Sequence, residues 1–182
     1  MSPTPPRTPD TTPPIRGADS PAFLLAQLGA HAAAKFSERL GAVNLTPPHA
    51  GILRFVSSAS GISQQELAGH LRILPSRLVI LIDELEERSL VERQADPADR
   101  RSYALHLTDK GREALKAIGR VARDHQDALL ASLTGEEQNM LAVLLRRVAD
   151  QQGLRPGVHP GFSRLQSRDG KMTKRRRGAA SR

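Results

Sequence analysis

The 182-residue chain contains no cysteine. This absence excludes disulfides, thiol catalysis, thiol-based redox sensing and zinc sites built on cysteine. The sequence also lacks any apolar run close to the roughly 20 residues of a membrane-spanning helix, and its first residues lack the apolar core of a signal peptide. We therefore expect a soluble, cytoplasmic protein with no membrane partner.

The residue patterns of catalytic and metal sites are also missing. The sequence has no glycine-rich phosphate loop, and it has no grouping of Ser, His and Asp that caps and turns do not already explain. Its six histidines show no ligand spacing with one another or with nearby carboxylates. They are His31, His49, His70, His106, His125 and His159. The sequence thus predicts neither an enzyme nor a metal site, and it calls for no cofactor.

Positive charge is present but unevenly distributed. The net charge is +8, yet residues 160–182 alone hold eight lysines and arginines against one aspartate. The remainder of the chain is therefore nearly neutral. A basic balance is typical of nucleic-acid-binding proteins, but here only a local arrangement of residues can indicate that the folded part binds DNA.

The two ends of the chain differ in composition from the middle. Residues 1–20 contain six prolines and almost no large apolar side chains, and residues 160–182 are rich in Arg, Lys, Ser and Gly. Such segments bury too little apolar surface to fold. We expect a disordered Pro-rich leader at 1–20, one folded domain at 21–153 and a disordered basic tail at 154–182.

Two short helices joined by a tight turn are indicated in the middle of the domain. Ser63 and Glu66 have the spacing of a capping box, in which each side chain satisfies an N–H at the helix start. Pro75 suits the first turn of the next helix, and the apolar stripe of that helix is Leu78, Leu81, Ile82 and Leu85. This pattern predicts a helix-turn-helix, whose second helix would present its outer face to a DNA major groove.

The residues after this motif change to the alternating period of strands. Residues 90–94 and 102–107 read as two strands, and Asp96 and Pro97 favour a turn between them. The predicted β-hairpin carries Arg100 and Arg101 near its tip, where they can reach phosphates or a minor groove. The hairpin would form a wing beside the recognition helix.

Three further helices are predicted to carry apolar stripes that one small domain cannot cover. The first spans about residues 21–40, and the other two begin after the caps Thr108 and Thr134. We expect a second copy to cover them, giving two recognition helices and two wings for a pseudo-palindromic site. The predicted fold is mainly α with a small β-wing (α+β). It is a winged helix-turn-helix at about 47–107, flanked by dimerisation helices at 21–46 and 108–153, in a homodimer.

Three segments carry a family resemblance: Leu85–Arg93 (LEERSLVER), Asp96–Arg101 (DPADRR) and Leu105–Gly111 (LHLTDKG). They resemble the MarR family of multiple-antibiotic-resistance regulators, over about residues 22–152. The resemblance implies a triangular homodimer whose first and last helices interlock. It also implies DNA reading by residues 75–80 and the wing, repression as the default, and often a small-molecule inducer between the dimerisation and DNA-binding parts.

The resemblance assigns DNA contacts to particular positions, which are Pro75, Ser76, Arg77, Ile80, Asp99, Arg100 and Arg101. Arg101 matches the arginine that enters the minor groove, and Asp99 would hold an arginine in a binding-ready geometry. Four positions depart from the family's pattern, and one of them is Ser89, which replaces the usual turn glycine. Leu74 stands where a Ser or Thr cap is common, and Val79 and Ile80 can touch thymine methyls but cannot read hydrogen-bond patterns.

Two questions stay open at this level. In the family's layout, His31, Phe36, His49 and Leu53 could face a lipophilic or aromatic inducer, or they could serve ordinary packing. The function could be sequence-specific repression relieved by such a ligand. It could instead be that of a winged-helix nucleoid or protein-interaction module, which binds double-stranded DNA non-specifically through its basic tail.

Overall fold

The computed structural model of the chain describes residues 17–95, 103–154 and 157. Within them, a 3-10 helix at Gly17–Asp19 precedes six α-helices: α1 (Pro21–Gly41), α2 (Pro47–Ser58), α3 (Gln64–Leu71), α4 (Pro75–Glu87), α5 (Asp109–Leu129) and α6 (Gly135–Gln151). The strands are β1 (Ile62–Ser63), β2 (Val91–Ala95) and β3 (Tyr103–Leu107). This architecture confirms the predicted fold class. The hairpin tip, most of the predicted leader and nearly all of the predicted tail lie outside the described residues.

The helices begin where side chains can satisfy their free N–H groups. At the start of α3, Ser63 Oγ accepts from the Glu66 N–H at 3.2 Å, and the Ser63 N–H donates to Glu66 Oε2 at 3.1 Å. Thr134 and Glu137 form the same capping box at the start of α6. The N–H of Thr134 donates to the Glu137 carboxylate, and this bond lowers the pKa of that group.

The three strands form one antiparallel sheet in the order β1-β3-β2. Strand β2 pairs with β3 from Val91 opposite Leu107 to Ala95 opposite Tyr103, so the two strands form the base of the predicted hairpin. Strand β1 pairs Ile62 with Leu105. Sequence analysis did not predict β1, because two residues show no periodicity and their partner is distant in the chain.

The core lies between the helix-turn-helix and the sheet. All four residues of the predicted α4 stripe are buried, and they pack with side chains of α1, α2, α3 and the strands. The largest fully buried side chains are Leu40, Ile52, Leu53, Val56, Leu67, Leu78, Ile82, Leu85, Val91 and Leu105. Burial of this stripe holds α4 with its opposite face outward.

The start of α5 packs closely on the segment that joins α4 to β2. The Thr108 hydroxyl donates to the Ser89 carbonyl at 2.6 Å and accepts from the Gly111 N–H at 2.9 Å. A Cβ at Gly111 would lie 1.9 Å from the carbonyl oxygen of Leu90, so a side chain cannot fit there. Ser89 has φ 56°, which explains why the residue type expected at this turn is glycine.

Large apolar side chains remain exposed on α1 and α6. Leu28 on α1 is 55% exposed and Met140 on α6 is 61% exposed, and no residue of α6 is buried. The exposed set on these two helices is Phe23, Leu24, Leu25, Leu28, Met140, Val143, Leu144, Leu145 and Val148. Among the described residues, no helix combines the length and apolarity that crossing a membrane requires.

Candidate nucleic-acid interface

The outward face of α4 begins at its N-terminal turn. Pro75, Ser76 and Ile80 are exposed, as sequence analysis expected for a reading surface, and Arg77 is half-buried at the flank of this face. Val79 is also exposed. Leu74 precedes the helix and gives no side-chain cap. The first two turns of α4 thus present an exposed hydroxyl and two exposed apolar side chains, with the half-buried guanidinium of Arg77 at their flank.

The wing is described only at its base. Strand β2 contacts α4 and ends at Ala95, and its partner β3 begins at Tyr103. Asp99, Arg100 and Arg101, which sequence analysis assigned to the wing tip, lie outside the described residues. The described part therefore places the hairpin next to the recognition helix but leaves those three contacts as predictions.

An arginine in β2 links the base of the wing to α4. Arg93 Nη2 donates to Asp83 Oδ1 at 2.5 Å, and Arg93 Nη1 donates to Glu86 Oε2. The backbone N–H of Arg93 donates to Glu86 Oε1 at 3.4 Å. The Arg93 side chain is only 18% exposed, so these contacts are partly shielded from water.

A second polar contact ties α4 to α2. His49 Nε2 donates to Glu84 Oε2 at 2.8 Å, and His49 is buried while Glu84 is half-exposed. At the end of α4, Arg88 Nη1 donates to the carbonyl oxygen of Asn44 at 2.6 Å. These bonds fix the C-terminal half of α4 on its inner sides, while its first turn stays exposed.

Sequence analysis did not predict the left-handed backbone conformation of Arg72 or the ion pairs of Arg93. Arg72 is exposed in the turn between α3 and α4 and has φ 52°, and nothing in the local pattern predicts that conformation. Arg93 did leave a signal, because it lies two residues after the buried Val91 and so shares its side of β2. An arginine at an inward position of a strand indicates a charged partner.

A cavity of about 640 Å³ lies between α1, α2 and α5. Its lining includes Phe36, Ala50, Arg54, Leu115 and Ile118, so it is largely apolar with one guanidinium. Of the four residues proposed for an inducer, Phe36 lines this cavity, His49 and Leu53 are buried in the core, and His31 is exposed on α1.

His125 on α5 packs beside this cavity. Its ring centroid lies 5.4 Å from that of Phe36. Burial lowers the pKa of His125 below its ordinary value of 6.5, and the positive charge of Arg39 and the neighbouring His31 lower it further. No group of three side chains suited to hold a metal ion occurs in the part of the chain that the structure describes.

Known proteins resemble a large part of this chain. The sequence profile of the MarR family matches residues 43–102. The HTH-type transcriptional repressor Rv2887 of Mycobacterium tuberculosis is 31% identical over 126 residues, which are 69% of this chain and 91% of that protein. The transcriptional regulator HosA of Escherichia coli is 30% identical over 105 residues, covering 58% of this chain and 78% of HosA.

Solved structures match as well. The repressor CouR bound to a 23-mer DNA duplex has a TM-score of 0.64 and 32% identity, over 72% of this chain and 94% of CouR. Rv2887 in complex with salicylic acid has a TM-score of 0.58 and 31% identity, over 72% of this chain and 98% of that one. Together with the exposed recognition helix and the hairpin beside it, these matches show that the chain belongs to the MarR family, whose members are DNA-binding transcriptional regulators and not enzymes.

Proposed function

We propose that the protein is a homodimeric repressor that binds a pseudo-palindromic operator and releases it when a small aromatic acid binds. The observation that carries this proposal is the exposed first turn of α4, which the buried stripe of the same helix holds outward beside the hairpin. A related protein, CouR, is bound to a DNA duplex in its solved structure.

The recognition helix supplies the major-groove contacts. Pro75 and Ser76 begin the helix, Arg77 offers donors to guanine or phosphate, and Ile80 with Val79 can cover thymine methyl groups. The wing residues Arg100 and Arg101 supply the minor-groove contacts, because the negative potential of that groove attracts them, and Asp99 holds an arginine in a binding-ready geometry. A half-site would therefore be read by one helix and one wing.

Dimerisation places two such readers on one duplex. The exposed apolar side chains of α1 and α6 leave a large apolar surface in contact with water, which monomeric proteins rarely tolerate. A second copy packed on these helices would cover it, and a two-fold axis would match the symmetry of a pseudo-palindrome. On this proposal, residues 21–46 and 108–153 form the dimerisation part.

The cavity between α1, α2 and α5 is the proposed inducer site. Its apolar lining suits an aromatic ring, and Arg54 can pair with a carboxylate. Phe36 of the dimerisation part and Arg54 of the DNA-binding part both line this cavity, so a ligand there would contact the two parts at once. The complex of Rv2887 with salicylic acid supports this class of ligand.

Selection from a pool of random duplexes at about physiological salt tests the DNA-binding part of the proposal. We expect the full chain to enrich a pseudo-palindrome, and we expect Arg77→Ala and Arg101→Ala to bind it more weakly. Arg120→Ala is the matched control, because it removes one exposed positive charge from α5. If no sequence is enriched and deletion of residues 160–182 abolishes all binding, the protein is instead a winged-helix module that binds DNA non-specifically through its basic tail.

A further inference from the structure

The second half of the recognition helix is strongly acidic. Asp83, Glu84, Glu86 and Glu87 occupy its last two turns. Negative charges at a helix C-terminus oppose the helix dipole, and they also repel the phosphates of a DNA duplex in the adjacent groove. Partners of opposite charge or with hydrogen-bond donors offset this repulsion, and the structure shows such partners for Asp83, Glu84 and Glu86.

Arg93 is the partner of two of them. Its guanidinium bridges Asp83 and Glu86, which lie one turn apart on the same side of α4, and its backbone N–H makes a second hydrogen bond to Glu86. We call the contact of these three residues the wing clasp. Because a guanidinium is planar and rigid, a bridge to two carboxylates constrains an angle as well as a distance.

We propose that Arg93 is a positioning residue that fixes the wing relative to the recognition helix before DNA arrives. This inference rests on the proposed function, since it concerns how the two DNA-contacting elements are spaced. Strand β2 continues from Arg93 to Ala95, where the described part of this strand ends, so a small rotation at the clasp displaces Ala95 relative to α4. A wing that is already held in place loses less conformational entropy when DNA binds.

The carboxylate side of the clasp gives the sharpest test, because charge and positioning predict opposite results. Replacing Asp83 and Glu86 by Asn and Gln removes two negative charges near DNA, which by charge alone strengthens binding. If the clasp positions the wing, Asp83→Asn/Glu86→Gln weakens binding even though repulsion is reduced. Arg93→Gln weakens binding as well, and Arg93→Lys, which cannot bridge both carboxylates in one plane, falls between Arg93→Gln and the wild type.

A spin label gives a readout that does not depend on DNA. The chain has no cysteine, so Ala95→Cys provides a unique labelling site at the exposed end of β2. We expect the electron paramagnetic resonance spectrum of the label to show greater mobility in Arg93→Gln and in Asp83→Asn/Glu86→Gln. Arg88→Gln is the control, because it removes a nearby positive charge whose hydrogen bond goes to Asn44 and leaves the wing clasp intact.

Footprinting on the duplex that the wild-type chain selects completes the experiment. In the clasp variants we expect loss of minor-groove protection from hydroxyl radicals, retention of major-groove guanine protection, and an increase in Kd of about tenfold. Unchanged label mobility and unchanged minor-groove protection in the folded double variant would overturn the inference. The single variants Asp83→Asn and Glu86→Gln serve if the double variant does not fold. If the wild-type chain selects no duplex, the proposed function fails, while the label mobility still decides whether the clasp holds β2.

Discussion

His49 on α2 donates a hydrogen bond from Nε2 to Oε2 of Glu84 on α4 across 2.8 Å. Because an ionised carboxylate can only accept, Nε2 carries the proton in this contact. His49 is buried next to the core while Glu84 is half-exposed, so the bond joins the interior to the side of the recognition helix. The helix that reads DNA is thus held by a polar contact as well as by its apolar stripe.

Removing either partner of this contact should destabilise the fold, and removing His49 should cost more than removing Glu84. We expect His49→Ala to lower the free energy of unfolding by about 2–3 kcal/mol, because it removes buried volume and leaves Glu84 without its partner. Glu84→Ala should cost about 1 kcal/mol, because that carboxylate is half-exposed. Urea unfolding measures both. The exposed Glu87→Ala on the same helix is the control and should change stability by less than about 0.5 kcal/mol.

Gly111 should not tolerate even a methyl group. A Cβ there would overlap the carbonyl oxygen of Leu90, which belongs to packed backbone that cannot move aside freely. We expect Gly111→Ala to destabilise the protein by about 2–3 kcal/mol in urea unfolding.

Gly119 on the same helix provides the matched control. The nearest atom to a Cβ there is Arg123 Nη1 at 3.6 Å, an ordinary contact. Since alanine is the better helix former, Gly119→Ala should stabilise by about 0.5–1 kcal/mol. Equal effects of the two substitutions would contradict the close approach of α5 to the α4–β2 segment.

Stability should depend on the protonation of His125. Its pKa is lower in the folded protein than the ordinary 6.5, mainly through burial and then through Arg39 and His31, so the unfolded chain binds a proton at higher pH than the folded one. Stability is therefore full above the unfolded pKa and decreases as the pH falls from about 7 to about 5.

His125→Gln isolates this contribution from those of the other histidines. We expect its free energy of unfolding to fall less than that of the wild type over the same pH range, and an NMR titration of the ring should give the lowered pKa directly. A parallel pH dependence of the wild type and the variant would show that His125 is not the group responsible.

The proposed inducer site predicts selective binding of aromatic acids. Salicylate or benzoate at tenfold over its Kd should raise Tm by about 3–5 °C and should release the selected duplex. Benzyl alcohol is the matched neutral ligand, and we expect it to have little effect because it cannot pair with Arg54. Arg54→Gln should remove the preference for the acid, and Ala122→Phe should fill the cavity. Binding that neither variant alters would move the ligand site elsewhere.

Much of the fold follows from local sequence. The capping boxes at Ser63 and Thr134 and the stripe from Leu78 to Leu85 depend on residues within a few positions of one another, so their spacing predicts the helices correctly. The family resemblance likewise depends on short segments around the hairpin. The exposed first turn of α4 is a direct consequence of which side of that helix is apolar.

Contacts between distant segments depend on the tertiary structure. The pairing of β1 with β3, the bridge from Arg93 to Asp83 and Glu86, and the bond from His49 to Glu84 each join residues that no local period relates. The cavity around Phe36 and Arg54 is lined by residues of three helices that lie far apart in the sequence. Periodicity determines which face of an element is buried, but the partner that covers that face is selected by packing and charge in three dimensions.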